Sequence, residues 1–511
     1  MKPTTKGGVG VSGLETTLFS RLTQRASQQR LRQLVIPRPD LVDFSSNDYL
    51  SLSENPSLRR ALIAQLQLAS PNPNSTSSHN PHHENKSESK TLSKGKNNNK
   101  NNPRLIGSGG SRLLDGNSSF VESLERKISS YHRSGACLLF NSAYDANVGL
   151  MSCVPGRDDV ILYDALIHAS VHDGMRLSRA RRQIAFSHAS IINNNTTTPT
   201  NENADEKKKM SGEVRRFKET LQDLVRTTPR IASGESNVFI CLEALYSMDG
   251  DIADLRHVTD VVDALLPNGN GYVIVDEAHS VGVLGQGRGL VSQLGLEDRV
   301  WARVLGFGKA MGCAGGAILC TPTTRLYLIN YARTLIYTTA MSFPSLASIN
   351  AAYDYMIDGK ARPAQLRLHR LIQHCHAKLR GLRDRFAPTA AELALPPHTH
   401  ALLSSSPIIP LFTSHPRSLA RHCQSSGFMI RAIVAPTVPR GQERVRICIH
   451  AANTTEQIDD LCEVVGAWLC SLRAEWNDSD TGGGGGGGGS LPDKPLEANL
   501  YNLGENMKPK L

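Results

Sequence analysis

The sequence predicts an α/β fold, with a large domain built on a mostly parallel sheet and a smaller C-terminal α+β domain after it. Three observations lead there. Short β-branched runs alternate with amphipathic stretches between residues 136 and 305, and strands that are apolar along their whole length need helices on both faces. After Pro344 the order changes to long helices followed by three spaced strands. A chain of 511 residues is long enough for two or three domains with a sizeable core.

Taken in order, residues 1–45 read as a helical arm and residues 46–345 as the large domain. Its strands are expected at 136–140, 159–163, 238–242, 272–276 and 303–305, with helices starting at Ser142 and near Ser170. Two polar inserts interrupt it. Residues 70–103 are rich in Asn, Ser, Lys and His, with Leu92 as the one aliphatic side chain, and residues 192–211 are similar. Neither buries enough apolar surface to offset its ordering entropy, so both are expected to be disordered. Residues 346–475 form the small domain, with helices at 345–357 and 365–385, strands at 408–412, 430–435 and 445–449, and a closing helix at 455–473. Residues 476–511 are a linker, octaglycine at 482–489, and a polar tail.

Composition narrows the function. An apolar content of 40% excludes a fibrous or wholly disordered chain, and no apolar run reaches the length of a membrane span. Ten scattered cysteines without a C-x-x-C pair read as reduced packing residues. The net charge of +10 suits phosphorylated or coenzyme-A-type ligands and would also suit nucleic acid. Its visible clusters, 94–104 and Lys207 to Lys209 with Arg215, Arg216 and Lys218, fall in low-complexity stretches and read as solvated surface, so no nucleic-acid partner is expected. His369, His374 and His376 read as part of a basic surface helix, and no metal is expected.

The chemistry concentrates at strand ends. The run 272–276 ends in Asp276, and His279 follows three residues later. In an open α/β sheet, ligands bind beyond the carboxyl ends of the strands. A second strand runs into Gly306-Phe307-Gly308-Lys309, which places Lys309 thirty-three residues after Asp276. A Schiff-base cofactor needs such an amine, and an acid to keep its ring nitrogen protonated. Phe140 to Tyr144 joins a strand to a helix whose first N–H groups suit a phosphate, and His168 stands just past another strand.

These motifs resemble a known family. V-D-E-A-H-S-V-G at 275–282, G-F-G-K at 306–309, S-S-N-D-Y-L at 45–50 and G-S-G-G-S-R at 107–112 are similar to the α-oxoamine synthases. Those are fold-type I enzymes that use pyridoxal 5'-phosphate to join an amino acid to an acyl-CoA with loss of carbon dioxide. The resemblance covers residues 20–473 apart from the inserts. A-P-T-V-P-R-G at 435–441, followed by Arg444-Val445-Arg446, most resembles the members that join L-alanine to pimeloyl-CoA in biotin biosynthesis.

The resemblance implies roles. Lys309 carries the cofactor, Asp276 pairs with its ring nitrogen, His279 reaches its ring oxygen and His168 stacks on its face. Ser247 lies near the ring oxygen or phosphate, with Ala143, Tyr144 and Gly306 at phosphate positions. Thr338 and Thr339 match a segment that reaches the phosphate from a partner subunit, which implies a homodimer. Asn47, Thr437 and Arg446 fall at substrate positions, Arg446 as carboxylate clamp, and an arginine of the first helix, Arg32 or else Arg30, joins them. The family usually has Thr where Gly306 stands and Gly where Ala143 stands. The alternatives are a synthase of secondary metabolism with another acyl donor or amino acid, and an inactive scaffold or nucleic-acid-binding relative.

The address is read from the ends. The first 34 residues hold four Arg and one acid, as a transit peptide would. The last three, Pro509-Lys510-Leu511, resemble the S-K-L peroxisomal signal with Pro in place of Ser, so the expectation is peroxisome or else cytosol.

Overall fold

A computed structural model describes residues 13–69 (without 29, 33, 35 and 37), 104–188, 212–389, 391–395 and 405–481. The inserts at 70–103 and 192–211, the octaglycine linker and the Pro509-Lys510-Leu511 ending lie outside the described residues. The described residues divide into two units, one ending at Val42 and resuming at Cys470, the other spanning Asp43–Leu469. In the first, the helix Gly13–Ser27 has no buried side chain. It stops before Arg30 and Arg32, so the expectation that Arg32 belongs to the first helix is corrected: Arg32 follows it in irregular, exposed backbone.

The second unit holds a seven-stranded sheet made of β1 (Ala136–Phe140), β2 (Val160–Asp164), β3 (Arg182–Phe186), β4 (Val238–Glu243), β5 (Gly271–Asp276), β6 (Ala302–Gly306) and β7 (Gly316–Cys320). Across the sheet the order is β1-β7-β6-β5-β4-β2-β3. β7 runs antiparallel to both of its neighbours, and every other pair is parallel. Five strands match the apolar runs of the sequence. β3 and β7 do not: β3 is a largely exposed edge strand, and β7, five buried residues directly after a glycine-rich loop, reads in the sequence as part of that loop.

Side chains along the central strands β2, β4 and β5 alternate between two cores. On β4, Val238, Ile240 and Leu242 join one core while Phe239 and Cys241 join the other. Each fully buried aliphatic or aromatic side chain there contributes about 1.5–3 kcal/mol. The helix Gly212–Thr227 supplies Val214, Phe217, Leu221 and Leu224 to the first core. This corrects the low-complexity reading of Arg215, Arg216 and Lys218: they sit on a helix whose apolar stripe is buried, with Arg215 and Arg216 on its exposed side.

A second, antiparallel sheet consists of β8 (Ile408–Phe412), β9 (Arg431–Ile433) and β10 (Arg444–Cys448), in the order β9-β10-β8. The helices Phe343–Ile357, Arg362–Phe386, Pro416–Ser425 and Thr455–Thr481 accompany it. His369 touches Gln373 at 2.9 Å and His374 touches Asp459 at 2.6 Å, whereas His376 is buried rather than on the surface. Among the described residues no group of His, Cys, Asp and Glu could hold a metal, and no helix is long and apolar enough to cross a membrane.

Candidate active site

The expected residues of the large sheet meet at the carboxyl ends of its strands. Asp276 ends β5, Ser247 follows β4, His168 follows β2, and Lys309 follows β6. The loop after β6 is closed by Phe307 N–H to Gly315 O at 3.0 Å, Cys313 N–H to Phe307 O at 2.8 Å and Gly312 N–H to Lys309 O at 2.9 Å, which leaves Lys309 half-buried between buried Phe307 and Ala310. After β1, Ser142 caps the helix Ala143–Cys153 by accepting the Asp145 N–H at 3.0 Å. The N–H groups of Ala143 and Tyr144 precede the helical ladder and stand free for an anion. Gly316 of β7 makes this approach possible, because a Cβ there would lie 2.4 Å from the Ala143 nitrogen.

Asp276 is buried and has one donor on each oxygen. Oδ2 accepts from Asn147 Nδ2 at 2.7 Å and Oδ1 from the Ala278 N–H at 2.9 Å. Asn147 also donates to Ser170 Oγ at 3.0 Å, and Ser170 Oγ lies 2.8 Å from His168 Nδ1. Asn147 and Ser170 were not read from the sequence. The available signal was a polar residue in the apolar run Ala146-Asn147-Val148, one turn along from Ala143. The protein packed around His168 holds its imidazole below the ordinary histidine value, with Asp276 pulling upward and Lys309 downward. Beside Asp276 in register, Glu243 is fully buried, and loss of water and the Asp276 charge push its carboxyl well above the usual range.

His279 belongs to a second network. Its Nδ1 lies 2.8 Å from Tyr49 Oη, which donates to Asn47 Oδ1 at 3.1 Å. Asn47 Oδ1 also accepts from Arg446 Nη2 at 3.2 Å, and Arg446 donates to Ser247 O at 2.9 Å and to Ser45 O at 3.3 Å. Burial, then the charges of Lys309 and Arg446, push His279 well below the ordinary value, so the ring is neutral. Asn47, Ser247, His279 and Arg446 are thus brought together as expected, and Tyr49 is the member that motif reading missed. Thr437 is exposed and lines a small cavity of about 40 Å³ together with Ser247, Tyr246 and Arg444. Thr338 Oγ1 and Thr339 O both accept from Asn141 Nδ2, at 3.1 and 3.0 Å, beside the helix start at Ala143.

Gly306 has a local reason. A Cβ there would lie 2.7 Å from Ala278 Cβ and 3.4 Å from Ala143 Cβ, so the small side chains at 143 and 278 leave no room for a threonine. The residues present fit pyridoxal 5'-phosphate. Asp276 has acceptor capacity left on a carboxylate already anchored by two donors, which suits a cationic ring N–H. The free helix start suits the phosphate, and Lys309 supplies an amine for the aldehyde.

Comparison with known proteins agrees. Residues 39–465 match the aminotransferase class I and II family. The chain is 44% identical to 8-amino-7-oxononanoate synthase of Emericella nidulans, over 89% of this chain and 96% of that one. It is 32% identical to aminoacyl transferase sphA of Aspergillus fumigatus, over 91% and 89%. Serine palmitoyltransferase of Sphingomonas wittichii has the same fold, with a TM-score of 0.66 at 19% identity, covering 91% of this chain and 100% of that one. The fold, the strand-end lysine and aspartate, and the extent of these matches place the chain in the aminotransferase class I and II family, on its fold-type I α-oxoamine synthase branch.

Proposed function

We propose that the protein is a pyridoxal 5'-phosphate-dependent acyltransferase that condenses L-alanine with pimeloyl-CoA, releasing CoA and carbon dioxide, to form 8-amino-7-oxononanoate for biotin. The observation that carries this reading is the convergence of Lys309, Asp276, His168 and His279 at one end of the sheet. The choice within the branch rests on 44% identity to a protein of that activity, against 32% to the aminoacyl transferase.

When bound, pyridoxal 5'-phosphate supplies an electron-withdrawing cationic ring that stabilises negative charge at the amino-acid Cα. The helix start at Ala143 and Tyr144 would bind its phosphate, and Asp276 would hold the proton on its ring nitrogen. The Lys309 amine would hold the cofactor's aldehyde and, once displaced from it by the incoming amino group, would be the general base for the Cα proton. Arg446 spends three donor contacts on Ser247, Ser45 and Asn47, and a guanidinium has five N–H groups, so donors remain for the amino-acid carboxylate. His168, exposed just past the end of β2, would cover the cofactor ring.

Two finer parts belong to the same proposal. The protein acts as a homodimer, in which Thr338 and Thr339 serve the neighbouring site. Support comes from exposed apolar side chains in the two segments joined there: Ser108 Oγ and the Gly110 carbonyl bond Ala340, and Ile106, Leu114 and Tyr337 of these segments are exposed. Sedimentation of the purified chain tests this, and a monomer at working concentration overturns it. Delivery to peroxisomes through Pro509-Lys510-Leu511 is tested by an N-terminal fluorescent fusion with and without Leu511; diffuse signal from both removes it.

The reaction itself is tested with purified protein, pyridoxal 5'-phosphate, L-alanine and a panel of acyl-CoA thioesters. Equal amounts of 8-amino-7-oxononanoate and free CoA from pimeloyl-CoA are expected. Turnover only with another acyl chain or amino acid, or none at all, overturns the assignment.

A further inference from the structure

The two histidines of the site are each tied at Nδ1, but to groups of opposite hydrogen-bonding character. His168 caps the helix Ala169–Leu177, and its Nδ1 accepts the backbone N–H of Ser170 at 3.2 Å. An amide N–H can only donate, so this nitrogen carries no proton, and the neutral ring must hold its hydrogen on Nε2. The side chains agree. Asp276 has only acceptors, so the Asn147 atom facing it is Nδ2. Ser170 Oγ accepts from the same Nδ2, which frees the serine hydrogen to point at His168 Nδ1.

His279 is reached from the other end. A guanidinium has donors only, so the Asn47 atom facing Arg446 at 3.2 Å is Oδ1. Tyr49 Oη, 3.1 Å from that oxygen, must give it the single phenolic hydrogen. Having spent it, Tyr49 can meet His279 Nδ1 at 2.8 Å only as an acceptor. The hydrogen in that contact therefore belongs to Nδ1, and Nε2 keeps its lone pair. Tyr49 is buried, with burial holding its phenol well above the usual value, so it remains a neutral link.

We propose that the fold fixes His168 and His279 in opposite neutral tautomers, with Tyr49 as the positioning residue that sets the second. Through Nε2, His168 offers a ligand a hydrogen-bond donor suited to a carbonyl oxygen. His279 offers an acceptor, suited to an O–H or N–H group. The role of Tyr49 is to hold His279 in orientation and tautomer; it is not placed against a ligand. The tautomers follow from the protein's own donors and acceptors and do not depend on the acyl donor assigned above.

The test is ring ¹⁵N spectroscopy of the histidine-labelled holoenzyme, with the two residues assigned by signal loss in His168→Asn and His279→Asn. A protonated Nε2 at His168 and a protonated Nδ1 at His279 are expected. The same tautomer at both residues, or Nε2–H at His279, overturns the proposal, and this measurement needs no altered tyrosine to fold. In Tyr49→Phe, His279 is expected to lose its single tautomer, and kcat to fall roughly tenfold, the worth of one buried hydrogen bond, with KM for the amino acid within about twofold. An unchanged His279 spectrum in that variant would assign Tyr49 a packing role only and defeat the inference, whether or not the acyltransferase assay succeeds.

Discussion

Asn147 donates to Asp276 at 2.7 Å, joining the second turn of the helix after β1 to the end of β5. The bond anchors one oxygen of the acid while the Ala278 N–H anchors the other. Replacing Asn147 with Leu removes a donor to a buried carboxylate, a contact worth about 1.5–3 kcal/mol. Turnover in Asn147→Leu is expected to fall roughly 10- to 100-fold, with weaker retention of pyridoxal 5'-phosphate on dialysis. Unchanged retention and turnover would show that Asp276 does not need this anchor.

Lys309 is the amine that the loop after β6 presents beside Asp276 and His279. Lys309→Ala should therefore abolish turnover and the visible absorbance of lysine-bound cofactor, while the far-ultraviolet circular dichroism stays native. Activity near that of the unaltered protein would move the chemistry to another residue.

Gly306 is hemmed in by Ala278, whose Cβ would stand 2.7 Å from a new methyl group. Overpacking of this kind costs about 1–3 kcal/mol, so Gly306→Ala should lower the urea midpoint of unfolding by a corresponding amount. Pairing it with Ala278→Gly removes the opposing methyl and should recover part of the loss. A single variant as stable as the parent would mean that the backbone yields freely there.

His132 provides a pH test of the core away from the site. It is fully buried, with Nδ1 beside Arg288 O at 3.1 Å and Nε2 beside Tyr353 Oη at 3.0 Å. Burial, with Arg303 nearby, pushes it from 6.5 down to about 3. The unfolded chain therefore takes up a proton that the folded one refuses. Stability from this residue is complete above pH 6.5, declines as pH falls, and levels off once pH passes below about 3. In that window the parent should lose about 1.4 kcal/mol per pH unit more than His132→Gln, measured by urea unfolding at several pH values. Parallel stability curves would show that His132 is protonated in the fold.

Sequence by itself determined the architecture and the chemical centre. The apolar runs that became β1, β2, β4, β5 and β6 are buried on both faces, and burial on both faces leaves a local mark that needs no partner to be read. Asp276 and Lys309 were legible for the same reason, since each follows directly from the strand that delivers it. Tertiary structure alone decided what holds these groups. The Tyr49–His279 bond joins residues 230 positions apart, and Arg446 reaches Asn47 across 399. β3 escaped notice because an edge strand need not be apolar, and the end of the first helix at Ser27 took Arg32 off it. Periodicity records which side of an element is buried. It carries no record of which distant donor meets which acceptor, because that depends on how the packed elements place two side chains within 3 Å of each other.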